Sequence, residues 1–205
     1  MTSQDAKQDL GYLKSVAERG ANAPLLGGRV GLLWTVLLVP TLCLHGLAAM
    51  GSVGIPANNI GIVWMTFAIV GAILSALLSR GLDKKPGAGS IGNQIEAVIW
   101  PVQAVIIFGY AISIALAVNM SNAPTLIFNT IMPFAFAMGA LSLLVLGRIT
   151  KQGFLGVAGS LSFIFMILTM IFVTDAKVYF VSALGVVFTG ILPNVIQMRK
   201  EPANV

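Results

Sequence analysis

Six apolar runs, residues 30–53, 60–80, 95–118, 125–147, 154–173 and 178–198, follow one another with only short polar or Gly/Pro-rich connections between them. A helix rises about 1.5 Å per residue and crosses the roughly 30 Å hydrocarbon layer in about 20 residues, so each run has the length of one crossing. A water-soluble fold cannot hide that much apolar surface. The chain is 57% hydrophobic and only 9% charged, whereas about a quarter of the residues in a soluble domain are charged. The expected fold is an all-α polytopic membrane protein: six transmembrane helices packed as three hairpins, because short connections force successive spans to run antiparallel. Residues 1–29 then form a cytoplasmic amphipathic segment and hinge, 30–198 the bundle, and 199–205 a short cytoplasmic tail.

The basic residues fix the expected orientation, since Lys and Arg accumulate on the cytoplasmic side of a membrane. With both termini inside, the inner segments carry Lys7, Lys14, Arg19, Arg29, Arg80, Lys84, Lys85, Arg148, Lys151, Arg199 and Lys200, and the outer loops carry only Lys177. An odd number of spans would destroy that asymmetry. Eight of these residues, Arg29, Arg80, Lys84, Lys85, Arg148, Lys151, Arg199 and Lys200, border the bundle and read as inner-face anchors. The expected location is the bacterial cytoplasmic membrane. The net charge of +5 is therefore a topology signal. It is not a nucleic-acid footprint, because the cations form no patch with interleaved aromatics.

Ahead of the first span, residues 3–19 have helical spacing of Ala6, Leu10, Leu13 and Ala17, with Lys7, Lys14 and Glu18 on other faces. This segment can lie on the membrane surface or dock a cytoplasmic partner through residues 1–20. Asp5, Asp9 and Glu18 precede the first apolar run, which argues against a cleaved signal and for a retained anchor.

The third span carries the polar residues hardest to place in lipid. Glu96, Gln103 and Tyr110 recur every seven residues and so share a helical face. An acid within or near hydrocarbon is unfavourable by about 2.5 to 3.5 kcal/mol at the bilayer centre and is often functional. Near the inner boundary, however, water, headgroups, Arg80 or Arg148 can satisfy Glu96. The face reads either as a polar path or as a seam that joins helices. His45, the single histidine, sits in the outer half of the first span with Thr41 one turn before it and Ser52 two turns after. An imidazole there suits a proton relay or a hydrogen bond to a neighbouring helix. Cys43 points elsewhere. One cysteine and one histidine provide neither an intrachain disulfide, nor a Cys–His pair, nor a metal site of familiar ligand number.

The other polar positions in the spans, including Asn129, Ser142, Thr189, Asn194 and Gln197, read as packing devices, as do small-residue pairs such as Gly156/Ser160. In residues 81–94, the lysines, glycines and Ser90 lack the order of a phosphate loop and read as a linker. No catalytic residue, cofactor or metal is expected. The function expected is that of a non-enzymatic integral membrane protein acting by association with lipid, with another membrane protein or with its own copies. It would serve as an accessory subunit, sensor or regulatory component, with no role in nucleic-acid binding. The alternative is a small transporter or channel with its path along the third helix.

Overall fold

The computed structural model describes residues 23–56 and 59–201. Among these residues the secondary structure is helical, with no strand, and six helices are long and apolar enough to cross a membrane. The protein is thus a multi-pass integral membrane protein. The amphipathic segment expected at residues 3–19 lies outside the described residues.

Helix α1 spans Gly28–Ala49, α2 Ile60–Leu78, α3 Ile91–Ser121, α4 Ile131–Ile149 and α5 Gly153–Ile171. The sixth crossing is a composite rod: α6 (Lys177–Val186), one π turn (Val187–Ile191) and α7 (Leu192–Lys200). A 3₁₀ stretch, Thr125–Thr130, leads into α4.

Two boundaries differ from the sequence expectation, each for a local reason. Helix α1 stops at Ala49, because the chain turns through Gly51 at φ 70°, so Ser52 lies beyond the helix and leaves the face of His45. Helix α3 starts at Ile91, four residues early, because Ser90 caps it: its hydroxyl accepts the Asn93 N–H at 3.3 Å. The supposed linker therefore ends in a helix cap. With 31 residues α3 is about 46 Å long at the standard rise, more than the hydrocarbon layer is thick. Asn122 at φ 52° closes it.

Neighbouring helices pack in the order α2, α1, the α6–α7 rod, α5, α4, α3. Each expected hairpin pair is in contact, yet the tightest pair, α4 with α5, bridges two hairpins. A Cβ on Gly147 would stand 2.9 Å from the Gly156 N, and one on Gly159 would stand 3.0 Å from the Leu144 N, so the two backbones touch where only hydrogen fits. On α5 the Gly156/Ser160 pair does not do this work: Ser160 is exposed, and a Cβ on Gly156 would meet nothing within 4 Å. Between α1 and the rod, a Cβ on Gly28 would stand 2.7 Å from the Met198 N.

The interior falls into two clusters. One joins Leu42, Met132, Phe136, Phe165, Val178, Tyr179, Ala183 and Val186; the other, nearer the chain ends, joins Leu25, Leu143, Leu146, Leu155 and Ala158. Helices α2 and α3 form the periphery, with 6% of their most apolar stretch buried, against 33% for α5 and 39% for the rod. Their outward side chains, such as Ile62, Val105 and Phe108, suit lipid.

The packing generates a contrast. Gly147→Ala pushes a methyl into backbone that cannot yield and should lower stability by about 1–3 kcal/mol. Gly156→Ala, one helix across, should be neutral or up to about 1 kcal/mol stabilising through helix propensity. Thermal unfolding of both variants in the same detergent checks this, and equal losses would refute the packing described.

Candidate functional site

The polar residues of the bundle gather into three groups, and the largest lies at the end that holds both described chain ends. The segment before α1 was expected to be a hinge. Instead, residues 24–27 form a strap with Leu25 and Leu26 buried to 1% and 5% exposure. Non-helical backbone at this depth must find partners in protein, and α3 supplies them. The Asn93 Oδ1 accepts the Leu26 N–H at 2.8 Å, while the Asn93 Nδ2 donates to the Pro24 and Gly87 carbonyls, each at 2.9 Å. One turn further on, the Glu96 carboxylate accepts the Gly27 N–H at 2.9 Å and the Gln197 Nε2 from α7 at 2.5 Å. Asn93 and Glu96 are three residues apart and so share the face that meets the strap.

Gly27 is required there, because a Cβ would fall 2.6 Å from the Glu96 carboxyl carbon. Glu96 is 5% exposed. Its partners are a backbone amide and a side-chain amide, where the sequence had offered Arg80 or Arg148. Outside this clasp, the Glu201 carboxylate bridges Arg29, at 2.8 Å, and Lys85. The N-terminal strap, the α2–α3 loop, α3 and the end of α7 are thereby tied at one place.

Along α3 the two further positions of the expected face meet other helices. The Gln103 Oε1 accepts the Ser142 hydroxyl of α4 at 2.7 Å. Tyr110 OH lies 2.9 Å from Thr130 Oγ1, which itself donates to the Ile127 carbonyl at 2.6 Å. The threonine proton being so used, the tyrosine is the donor. Glu96, Gln103 and Tyr110 thus share a face, but each is paired with a different element and they do not form one continuous chain.

The third group lies toward the opposite end. Trp64 of α2 donates its indole N–H to His45 Nδ1 at 3.1 Å, and the His45 ring lies against Tyr179 of α6 with centroids 3.7 Å apart. The Tyr179 hydroxyl donates to Asn129 Oδ1, and the Asn129 Nδ2 donates to the Val173 carbonyl at 2.7 Å. Five crossings meet in this network. Thr41 does not join it, for its hydroxyl donates to the Leu37 carbonyl of its own helix at 2.8 Å. At the turn before α6, the Lys177 N–H and then its ammonium group hold the exposed Asp175 carboxyl below the ordinary carboxylate range.

The eight anchor cations sit at the clasp end, where Arg80, Lys84, Arg148, Lys151, Arg199 and Lys200 are exposed, and Lys200 also lies 4.7 Å above the Phe154 ring. Among the described residues no cluster of His, Cys, Asp and Glu has the form of a metal site. No known family, curated protein or solved structure matches the chain.

Asn93, the most heavily bonded of these side chains, falls in the stretch that the sequence pattern assigns to a linker. Ser90 three residues before it, at N-cap spacing, is the signal that could have moved it into the helix. Asn93→Leu leaves the Leu26 amide and the Pro24 carbonyl without partners and takes one of two donors from the Gly87 carbonyl, which keeps the Ser90 N–H. It should lower stability by several kcal/mol, at about 1–3 per abandoned group. Glu96→Gln, which keeps an acceptor of the same shape, should lower it by less. Thermal unfolding in detergent measures both, and an Asn93→Leu protein as stable as the parent would remove the strap's anchorage.

Proposed function

We propose that this protein is a non-enzymatic component of a membrane complex that acts by association, as an accessory subunit or a sensor or regulatory element. The observation that supports this reading best is the pairing along α3. Glu96, Gln103 and Tyr110 are each hydrogen-bonded to a different neighbouring element, so the face that could have lined a path is engaged in holding helices together. Helices α2 and α3 offer long apolar sides to the membrane plane, where a second membrane protein or a second copy would pack. On this reading the cationic end faces the cytoplasm of a bacterial cell, and residues 1–20 are available there to a cytoplasmic partner.

A second reading, a small transporter or channel, draws on the π turn Val187–Ile191, since such turns are frequent at functional sites. Photo-reactive residues placed at Ile69 on α2 and Val105 on α3, both lipid-facing, separate the two readings. Association predicts a discrete protein adduct of constant mass in native membranes, together with tight vesicles when the purified protein is reconstituted. Absence of an adduct from both positions, with solute flux that Gln103→Leu abolishes, would overturn it in favour of transport.

A further inference from the structure

The His45 ring has a hydrogen-bond sense dictated by its neighbour. An indole N–H can only donate, and that of Trp64 reaches His45 Nδ1 at 3.1 Å. Nδ1 must therefore present a lone pair, so the ring is neutral and carries its one proton on Nε2. Nδ1 is then the only basic nitrogen left, and a proton added to the ring turns Nδ1 into a donor facing a donor. The bond to Trp64 cannot survive that change.

The surroundings decide which contact is lost. From α6 the titratable neighbour is Tyr179, whose hydroxyl is directed at Asn129 and whose ring lies against the imidazole. A protonated ring keeps its attraction to that aromatic face. From α2 the neighbour is Trp64, with no titratable group of its own. On α1, Cys43 is two positions away and points to another side. Among the described residues no carboxylate is hydrogen-bonded to the ring, and Asp175, the acid at the turn before α6, is paired with Lys177 at 3.2 Å. His45 is one turn from the end of α1 and lines a cavity of about 120 Å³ with Ala48, Ala49 and Ile60, which gives a proton a way to the ring. Helix α2 packs chiefly against α1, so it is the element that this contact holds.

We propose that the His45–Trp64 contact is a proton-responsive latch, in which protonation of His45 from the Lys177 end of the bundle releases α2 from α1 while His45 stays on Tyr179. The neutral ring accepts from Trp64 and the protonated ring does not, so a proton binds more favourably when α2 is undocked. The latch is thus closed at neutral pH and opens as pH falls. It stands independently of the association reading.

The test uses the full chain in lipid nanodiscs with ¹⁵N-labelled indoles, whose three tryptophan signals are assigned by loss of one signal in Trp64→Phe. Trp34 packs on Phe67 and Gly71 of α2, so it reports on the same seam, and the His45→Gln protein serves as the control for pH effects elsewhere in the chain. Titration from about pH 7.5 to about pH 4 spans the ordinary histidine range. The Trp64 signal should lose its hydrogen-bonded shift and the Trp34 signal should move with it. His45→Gln, which keeps an acceptor for the indole but cannot titrate, should abolish both movements. An invariant Trp64 signal, or the same movement in His45→Gln, would overturn the latch. Movement of Trp64 alone would overturn release of α2.

Discussion

A polar group in hydrocarbon has no water to return to, and this constraint shapes the bundle more than any single apolar contact. It bears hardest on residues 24–27, a stretch of non-helical backbone tucked against the ends of α3 and α7. The Leu26 and Gly27 amides and the Pro24 carbonyl would be unpaired without Asn93 and Glu96, and an unpaired buried group is unfavourable by about 1–3 kcal/mol. The two side chains answer that need from one helical face. Glu96 is satisfied in turn by Gln197, which brings in the last helix. A carboxylate that looks anomalous in an apolar helix is thus the piece that lets the chain enter the membrane by a strap.

The same logic runs along the bundle at three depths. At the strap the ties join α3 to the chain ends, at mid-span they join α3 to α4, and toward the opposite end His45, Trp64, Tyr179 and Asn129 join α1, α2 and α6 to the 3₁₀ lead-in of α4 and the turn after α5. Close backbone approach does the rest, at Gly28 between α1 and α7 and at Gly147 and Gly159 between α4 and α5. The helices that lack such approaches on their outer sides, α2 and most of α3, form the rim of the bundle. The rod that crosses last is central because it meets α1 on one side and α5 on the other.

Much of the architecture was legible in the sequence because the bilayer imposes a coarse rule that apolar runs obey. Six runs of the required length became six helices, and the basic residues bordering them, Lys177 excepted, sort to one end. The shared face of Glu96, Gln103 and Tyr110 was also legible, since it follows from helical periodicity alone. The partners of that face were not. Spacing says which way a side chain points on its own helix and nothing about which helix lies opposite, so Gln197 and Ser142 were indistinguishable from the other polar residues in the spans. The apolar pattern of the third span starts at Ile95, four residues after the helix itself, and so hides Asn93, and that of the first runs on through Ser52 although the helix ends before Gly51. Lys151, which adopts φ 54° at the α4–α5 turn, occupies a position where glycine is usual, and nothing in the sequence marks it.

Glu96 and Gln197 hold each other, and through Gly27 the strap, across three segments remote in sequence. A double-mutant cycle with Glu96→Ala, Gln197→Ala and the combined variant, read as unfolding free energy in one detergent, measures this directly. A coupling of about 0.6 to 1.7 kcal/mol is expected, the average and the upper end for hydrogen bonds between membrane helices in such cycles. Losses that add to within about 0.3–0.5 kcal/mol would mean that the two residues act separately and that the clasp does not organise this end of the bundle.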